Sequence, residues 1–393
     1  MRVIVIGAGV LGASAAFHLA AAGASAVLVD QAHDGRATAA GAGIVCPWLS
    51  EAADAAWRRI ADAGACYLPE LVERLAGFGE RDVGFRKVGA LSVAWDDAEL
   101  DRIERAVLAR RDEAPTLGPA VGAAVGPAIG SVSRLSPQQA RALFPPLHPA
   151  LAAVHVSGGA RVDGRLLAAA LCRALERQGG QVRRGVVELL TDGPRVVGVR
   201  IGGERLPADS VVLAGGAWAP AMLAPLGLAL AVTPQRGQIT HLHLDGAATG
   251  GWPVVLPPGN HYLLAFEGGR VVVGATRERD AGFDYRVTAA GQAEVLNQAL
   301  AVAPGLASAT LIETRIGFRP VGPGARPLLG VARGVPGLVI GNGLGPSGLT
   351  IGPYAGRLLA QAALGQPPDL DLAPYDPLRP CTGSVQADAD ALR

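Results

Sequence analysis

The first residues whose types and spacing suggest chemistry form a glycine-rich turn, residues 7–12 (GAGVLG). The apolar run before it, Arg2–Ile6, predicts a buried parallel strand, and the alanine-rich run after it predicts a helix. In that context the glycines allow a tight turn and a close approach of a pyrophosphate to the helix N-terminus. Asp30 lies 18 residues after Gly12, at the end of a second predicted strand, where its carboxylate can accept a hydrogen bond from a ribose hydroxyl. The pattern predicts a dinucleotide-binding site.

Three later segments also offer small residues to a flat ligand. Residues 36–44 include a Gly-Ala-Gly run, and Arg36 and Thr38 there can reach a phosphate or a ribose. Residues 210–213 predict a strand that leads into Ala214 and two glycines, and residues 338–340 predict another that meets residues 341–348 (GNGLGPSG). Because glycine has no side chain, the backbone of these segments can lie directly against a cofactor. For residues 36–44, composition alone is equally consistent with an ordinary loop.

Composition narrows the classes of function. With 393 residues, 50% of them hydrophobic, the chain can bury a large core, and its length predicts two domains. A net charge of +1 and an aromatic content of 4% indicate neither a basic face nor stacking platforms, so we expect no nucleic-acid partner. Lys87 is the single lysine of the sequence, so a Schiff base with pyridoxal phosphate would have to use this residue.

Disulfide, metal and membrane-spanning features are not predicted. The four cysteines are scattered without a CxxC pair, and His241 and His243 have no third ligand near them in sequence. Two uncharged runs, residues 211–232 and 334–356, are interrupted by glycine and proline and do not predict continuous spanning helices. The N-terminus lacks a signal-peptide pattern, which predicts a cytoplasmic protein, with a membrane-peripheral location as the alternative.

Hydrophobic periodicity predicts alternating helices and strands, which is typical of an α/β fold (α+β overall). Helices are predicted over residues 51–75, 99–111, 166–178, 291–301 and 351–363. A glycine-containing turn between residues 262–265 and 270–274 predicts a β-hairpin. The Ala/Gly/Pro-rich residues 115–131 predict a loop.

Five separated motifs resemble those of a flavoenzyme family and occur in the same order. They are residues 5–9, 38–43, 211–218, 317–320 with 326–330, and 341–348. On these motifs, which span nearly the whole chain, the sequence resembles the FAD-dependent amine oxidoreductases of the D-amino-acid oxidase superfamily. The bacterial glycine-oxidase-like and D-amino-acid-dehydrogenase-like branch fits best. The resemblance implies a Rossmann-like FAD-binding domain (residues 1–85, 150–225 and 320–393). It also implies a substrate-binding domain built on an antiparallel β-sheet (residues 86–149 and 226–319).

The resemblance also implies which residues hold FAD. The ADP half would lie at the first glycine-rich turn, and the isoalloxazine ring would lie against residues 343–350. There the N-terminus of the last helix would supply positive potential to the reduced flavin. The implied cofactor-binding residues are Gly7, Ala8, Gly9, Val10, Leu11, Gly12, Asp30, Gln31, Arg36, Thr38, Ala39, Gly41, Ala42, Gly43, Ile44, Val187, Ala214, Gly215, Trp218, Gly343, Leu344, Gly345, Pro346, Ser347, Gly348, Leu349 and Thr350.

For the substrate, the resemblance implies that Arg319, in the Gly-Phe-Arg-Pro segment, grips a carboxylate. A planar guanidinium suits this role because two parallel charge-assisted hydrogen bonds fix both the position and the rotation of a carboxylate. Tyr262 matches a position whose hydroxyl helps to close the pocket, and with Arg319 it forms the predicted catalytic set. Trp48 and Arg277 complete the predicted substrate-binding residues.

The chain departs from the family in three ways. Relatives that attach flavin covalently use a cysteine near the Arg-Pro segment, where this chain has Gly317 and Phe318, so FAD is predicted to be non-covalent. Relatives that activate oxygen with a lysine carry it on a strand that matches residues 271–273, which have none. That difference favours a dehydrogenase over an oxidase. A second arginine found in the flavin loop of glycine-oxidase-like members is replaced here by residues 344–346 (LGP).

The predicted function is oxidative deamination of a small amino acid or secondary amine, such as a D-amino acid, glycine or a proline derivative. Hydride passes from the substrate Cα to flavin N5, and the resulting imine is hydrolysed to an oxo acid. The expected electron acceptor is a quinone, a dye-like carrier or oxygen. Two alternatives are a 2-hydroxy-acid dehydrogenase and the flavoprotein subunit of a multi-chain amine dehydrogenase, which would need partner subunits.

Overall fold

The computed structural model of the protein describes residues 1–52, 54–117 and 122–380. The strands are β1 (Arg2–Ile6), β2 (Ser25–Asp30), β3 (Ile44–Val45), β4 (Arg86–Lys87), β5 (Ala90–Ala94), β6 (Val132–Leu135), β7 (Ala152–Val156), β8 (Ala160–Arg161), β9 (Gln181–Arg184), β10 (Val187–Asp192), β11 (Arg195–Ile201), β12 (Glu204–Pro207), β13 (Ser210–Leu213), β14 (Thr233–His243), β15 (Val254–Leu256), β16 (Tyr262–Ala265), β17 (Arg270–Gly274), β18 (Thr310–Val321), β19 (Leu328–Val331) and β20 (Leu338–Asn342). The α-helices are α1 (Val10–Ala21), α2 (Ala37–Ala40), α3 (Ala55–Gly77), α4 (Asp97–Glu113), α5 (Gly122–Ile129), α6 (Pro137–Leu143), α7 (Gly164–Arg177), α8 (Ala219–Leu223), α9 (Ala289–Val302) and α10 (Gly348–Ala363).

A six-stranded sheet, in the order β19-β20-β13-β1-β2-β9, carries the N-terminal motif. β1 pairs in parallel with β2 and β13, and β13 pairs in parallel with β20. These strands are short apolar runs that are almost fully buried, as expected for a parallel sheet covered on both faces. Because parallel strands end at one edge of a sheet, the segments that follow β1, β2, β13 and β20 meet at that edge.

The second large sheet has eight strands in the order β18-β14-β17-β16-β15-β5-β7-β6. Its pairs are antiparallel except for β15 with β5, which is parallel. The mixed α/β class predicted from the sequence is confirmed. The two-domain division stays a prediction, and β7 bears on its boundary: residues 150–156 were assigned to the FAD-binding domain, yet β7 pairs within the eight-stranded sheet. We therefore propose that the boundary follows Val156.

Small residues let three helices pack closely behind the glycine-rich edge. A Cβ at Gly356 of α10 would lie 2.7 Å from the backbone nitrogen of Ala15 in α1. A Cβ at Gly64 of α3 would lie 2.3 Å from the carbonyl oxygen of Thr350. Neither position has room for a side chain. The glycines therefore bring the N-terminus of α10 close to α1 and to the edge of the six-stranded sheet.

One predicted element differs from the structure. Within residues 115–131, predicted as a loop, residues 122–129 form helix α5, and residues 118–121 lie outside the described residues. The helix forms despite Pro127 because its apolar side chains Val125 and Ile129 are fully buried against the core. Tertiary packing here outweighs a composition that favours turns.

The described residues contain neither a candidate membrane-spanning helix nor a candidate metal-binding cluster. No described helix is both long enough and apolar enough to cross a bilayer. No group of three or more His, Cys, Asp or Glu side chains in the described ranges could hold a metal ion. His241 is buried with no hydrogen-bond partner on either ring nitrogen among the described residues, and burial lowers its pKa to about 4.

Candidate functional site

A cavity of about 870 Å³ lies between the two large sheets. One side is formed by residues that follow β1, β2, β13 and β20 at the edge of the six-stranded sheet. The opposite side is formed by residues of β14, β16 and β18 in the eight-stranded sheet. The cavity therefore brings together the glycine-rich motifs, which are distant in sequence, and the side chains predicted to contact substrate.

The first glycine-rich turn has no space for side chains at two of its glycines. Gly7 has a φ of +102°, and a Cβ there would lie 2.4 Å from the carbonyl oxygen of Ala214. A Cβ at Gly12 would lie 1.9 Å from the carbonyl oxygen of Gly7. At Gly9, by contrast, the nearest atom to a Cβ is Oγ1 of Thr38 at 3.2 Å. Gly9 thus borders the cavity, while Gly7 and Gly12 hold the turn against its neighbours.

Asp30 and Thr38 bind the backbone of this turn. The Asp30 carboxylate accepts from the backbone N–H of Ala8 at 2.6 Å and from that of Ala32. Arg36 lies 3.4 Å from the same carboxylate. Thr38 Oγ1 accepts from the backbone N–H of Val10 at 3.0 Å. Each carboxylate oxygen has more than one lone pair, so Asp30 retains acceptor capacity for a ribose hydroxyl at the cavity wall.

The last motif brings a second helix N-terminus to the cavity. Asn342 joins two turns, because its Nδ2 donates to the carbonyl of Gly216 at 2.9 Å and its Oδ1 accepts from the N–H of Gly343 at 2.8 Å. Thr350 Oγ1 donates to the carbonyl of Ile44 at 3.2 Å. Helix α10 begins at Gly348 beside these contacts, and its first residues line the cavity. The N-termini of α1 and α10 therefore both direct positive potential at the cavity.

The observed cradle fits a dinucleotide. Its glycines leave backbone exposed to the cavity, the positive ends of two helices favour an anion, and Asp30 offers an acceptor. Gly317 is also informative, since a Cβ there would lie 2.7 Å from the Cβ of Ala40. A larger residue at position 317, such as the cysteine of covalent flavoenzymes, would not fit without movement of α2.

Four predicted substrate residues, Trp48, Tyr262, Arg277 and Arg319, line the same cavity. The Arg319 guanidinium donates from Nη1 to the carbonyl of Thr276 at 3.0 Å and approaches Oε1 of Gln235 at 3.4 Å. Among the described residues no carboxylate pairs with it. Burial raises the pKa of the Tyr262 phenol, and the positive charges of Arg319 and Arg277 oppose that rise. A neutral phenol thus lies in the field of two guanidinium groups.

Most predicted cofactor residues also line the cavity, and five do not: Ala8, Gly12, Ala39, Val187 and Gly343. Ala8 uses its N–H on Asp30, and Gly12 packs on Gly7. The carbonyl of Ala39 accepts from Arg165, and Val187 is buried in a separate apolar cluster. Gly343 turns with a φ of +68° beside Leu328. Ala8, Gly12 and Gly343 thus support the turns that line the cavity, whereas Val187 is not brought to the cavity.

Several cavity residues were missed by the sequence analysis. Asn260 and His261, just before Tyr262, line the cavity, and their Oδ1 and Nδ1 atoms are buried with no hydrogen-bond partner among the described residues. Burial lowers the pKa of the His261 imidazole, which is therefore neutral at pH 7. Neither residue belongs to a recognised motif, so the only feature of the sequence that could have marked them as site residues is their proximity to Tyr262.

Helix α4 supplies a second missed set. The sequence predicts a helix over residues 99–111 but assigns it no role at the site, whereas Arg102 and Arg110 line the cavity. Arg102 bridges Glu51 at 2.5 Å and Glu99 at 2.7 Å. Arg110 is buried, and pairs with the buried Asp62 at 2.8 Å. Burial raises the pKa of the Asp62 carboxyl, and Arg110 opposes that rise. The hydrophobic periodicity of the helix does not distinguish Arg102 and Arg110 from its solvent-exposed charged residues.

Comparison with known proteins identifies close relatives. A family model described as FAD dependent oxidoreductase (DAO) matches residues 2–362. An uncharacterized oxidoreductase of Bacillus subtilis is 47% identical, covering 95% of this chain and 98% of its own. Glycine oxidase of Pseudomonas aeruginosa is 32% identical, covering 96% of this chain and 98% of its own. The crystal structure of iminodiacetate oxidase from Chelativorans sp. BNC1 matches with a TM-score of 0.91 and 51% identity, covering 96% of this chain and 99% of that one.

Proposed function

Because the chain belongs to the DAO family of FAD-dependent oxidoreductases, we propose that it oxidises a small carboxylated amine at the carbon next to nitrogen. The substrate is an amino acid or a secondary amine, and FAD is held without a covalent bond. The product imine is hydrolysed to an oxo acid. Oxidation of an amine or amino acid is the activity of the relatives named glycine oxidase and iminodiacetate oxidase.

The observation that carries this proposal is that the guanidinium of Arg319 has no anionic partner among the described residues. Its guanidinium borders the cavity, contacts the neutral oxygens of Thr276, Gln235 and Tyr262, and has no carboxylate partner among the described residues. A partly buried cation without an anion is costly unless a ligand supplies the negative charge. A substrate carboxylate would satisfy the guanidinium with two parallel hydrogen bonds. Ile239, Tyr262 and Trp48 line the same cavity with apolar or neutral side chains, and Arg277 adds a second positive charge near Tyr262.

The cofactor would be held by the residues that line the glycine-rich side. The turn at Gly9, the N-terminus of α1 and Asp30 suit the diphosphate and ribose, and the N-terminus of α10 suits the electron-rich edge of the ring. When bound, FAD supplies the hydride acceptor for the substrate Cα–H. The protein's part is positioning, because hydride transfer from a neutral amine needs no strong side-chain base.

Tyr262, Trp48 and Arg277 would complete the substrate pocket. Trp48 is buried, and its Nε1 has no hydrogen-bond partner among the described residues, so it can donate to a bound ligand. Arg277 shares the field around Tyr262 with Arg319, which suits a substrate that carries a second carboxylate. The relative named iminodiacetate oxidase supports a dicarboxylate secondary amine within the proposed class.

Anaerobic reduction of the flavin tests the proposed function. The protein, loaded with FAD, is mixed without oxygen with iminodiacetate, glycine, sarcosine, D-alanine, D-proline and D-lactate, and the visible flavin band is followed. We expect carboxylated amines to bleach the band and to release ammonia or an amine on hydrolysis. Bleaching by the 2-hydroxy acid alone would establish the alternative dehydrogenase, and bleaching only after addition of a cell extract would indicate that partner subunits are required.

A non-covalent cofactor leads to a direct prediction. Heat or acid denaturation should release intact FAD into the supernatant, because neither Gly317 nor Phe318 can form a thioether and Gly317 is pressed against Ala40. Released FAD is measured by chromatography of the supernatant, and retained flavin is measured by the absorbance of the washed precipitate. Flavin that stays with the precipitated chain would refute non-covalent binding.

A second prediction concerns the electron acceptor that reoxidises the flavin. The absence of a lysine on residues 271–273 favoured a dehydrogenase, whereas relatives that match nearly the full chain are named oxidases. Arg319 and Arg277 already place positive charge in the cavity, which can stabilise reduced oxygen in place of a lysine. We therefore propose oxygen as the acceptor. Stopped-flow reoxidation in aerated buffer should be at least as fast as turnover with an artificial dye, and markedly slower reoxidation would restore the dehydrogenase assignment.

A further inference from the structure

Gly237 on strand β14 lies next to Arg319 on the same face of the sheet. In the antiparallel β14–β18 pair, Gln235 is directly opposite Arg319 and Gly237 is directly opposite Gly317. Side chains at alternate positions of a strand share a face, so Gln235 and Gly237 face the same side as Arg319. Gly237 is the diagonal cross-strand neighbour of Arg319, at a distance that a side chain as long as arginine can reach. The guanidinium of Arg319 therefore extends over Gly237.

The space above Gly237 is filled by that guanidinium. A Cβ at Gly237 would lie 2.5 Å from Nη1, 2.6 Å from Nη2 and 2.7 Å from Cζ of Arg319. The backbone does not explain the glycine, since Gly237 lies within a regular strand and is absent from the left-handed glycines. An alanine would suit the strand conformation. It would clash with the end of one flexible side chain, the one that the proposed function assigns to the substrate carboxylate.

The guanidinium of Arg319 is held by the carbonyl of Thr276, which lies 3.0 Å from Nη1. That carbonyl is itself fixed. The Thr276 hydroxyl accepts from the N–H of Gln238 at 2.9 Å and donates to Oε1 of Glu278 at 2.8 Å. Thr276 and Gln238 are both fully buried.

Glu278 is the centre of this buried network. Its carboxylate accepts from Nε2 of Gln238 at 2.8 Å and from the guanidinium of Arg236 at 3.0 Å. Burial alone would raise the pKa of the Glu278 carboxyl, but hydrogen bonds from Arg236, Gln238 and Thr276 outweigh burial and hold that pKa below its usual range. The carboxylate is thus charged at neutral pH and ties the segment 276–278 to β14.

We propose that Gly237 is a positioning residue for substrate binding: it leaves the space in which the Arg319 guanidinium lies, and the Thr276 carbonyl, fixed by Glu278, holds the guanidinium there. This inference rests on the proposed function, in which Arg319 binds the substrate carboxylate. A side chain at position 237 would displace the guanidinium without touching the glycine-rich cofactor wall. Gly237 therefore determines where a carboxylate binds and does not determine whether FAD binds.

Gly237→Ala tests the inference with binding probes that need no turnover. Acetate and its neutral isostere acetamide are titrated into the FAD-loaded protein at constant ionic strength, and the flavin absorbance change reports each Kd. We expect the variant to bind acetate roughly 10- to 100-fold more weakly than the wild type, with acetamide binding and FAD content unchanged. The matched control is Gly251→Ala, because Gly251 has open space around its Cα and lies away from the cavity.

Glu278→Gln is the second variant. It leaves Gly237 intact and weakens the network that fixes the Thr276 carbonyl, and it also removes one of the two carboxylates that pair with Arg236. It should raise Kd for acetate less than Gly237→Ala does, and both variants should raise KM for an acid substrate more than they lower kcat. Wild-type acetate binding in Gly237→Ala and in Glu278→Gln would overturn the inference and leave the proposed function standing. A wild-type protein that binds acetate no better than acetamide would overturn the proposed function itself, and the inference with it.

Discussion

Replacement of Arg319 by alanine is expected to lower kcat/KM for a carboxylated amine by roughly 30- to 1000-fold. The physical reason is the loss of a charge-assisted pair in a partly dry pocket, which costs on the order of 2–4 kcal/mol. Arg319→Lys keeps the charge but loses the paired N–H geometry, so its effect should be intermediate. FAD content should not change, because the hydrogen bonds of the guanidinium go to Gln235 and the Thr276 carbonyl and not to the glycine turns that would hold the cofactor.

The decisive measurement compares an acid substrate with the matching decarboxylated amine in each variant. The decarboxylated amine has no carboxylate to bind Arg319, so its kcat/KM should change much less. Arg315→Lys is the matched control, since Arg315 lies earlier on β18, pairs with Glu313 at 2.6 Å and does not line the cavity. An equal loss for acid and amine would make Arg319 a structural residue, and the carboxylated-amine assignment would lose its main support.

The cofactor side of the cavity could be predicted from sequence because its parts are local. Residues 2–30 carry a strand, a turn, a helix and a second strand in one continuous run, and each has its own pattern of residue types. The later motifs each follow an apolar strand. Strands of a parallel sheet end at one edge, so a reader of the sequence can expect residues after β13 and β20 to join the first turn without knowing the strand order.

The substrate side could be predicted only in part because it depends on contacts across strands. Arg319 was found through the resemblance, but its contact with the Thr276 carbonyl requires the pairing of β14 with β18 and the path of residues 276–278. The clearance above Gly237 follows from the same pairing. Register between distant strands is set by the whole sheet, so no local pattern in residues 233–243 reveals it.

The buried pair Asp62–Arg110 shows that the sequence does not reveal which charged residues are buried. The two lie on helices α3 and α4, and each occupies a helix whose other charges are mostly solvated. Hydrophobic periodicity predicts both helices but not which charged residue turns inward, because a paired charge can occupy an apolar face. Arg110 makes a second contact, from its Nη1 to the carbonyl of Pro47 at 2.8 Å, and Pro47 lines the cavity.

The Gly9→Val variant is expected to fold and to bind little FAD. Gly9 caps α1 with ordinary dihedral angles, so valine meets no backbone strain there. The atom nearest to a new Cβ is Thr38 Oγ1 at 3.2 Å, on a side chain that can move. The valine methyl groups would instead occupy the cavity beside the N-terminus of α1, where the pyrophosphate is expected to bind. Overpacking of about 1–3 kcal/mol corresponds to roughly 5- to 150-fold weaker FAD binding.

Gly12→Ala provides the contrast that separates cofactor loss from misfolding. Its Cβ would lie 1.9 Å from the carbonyl oxygen of Gly7, a backbone atom that cannot rotate away, so this variant should lose thermal stability rather than FAD affinity alone. The two variants are compared by the ratio of flavin to protein absorbance and by Tm measured after removal of FAD. Gly9→Val should keep a Tm close to that of wild-type apoprotein and show a low flavin ratio. Wild-type flavin content in Gly9→Val would mean that the pyrophosphate does not bind at this turn, and the dinucleotide site would then have to lie against the other glycine-rich segments of the cavity.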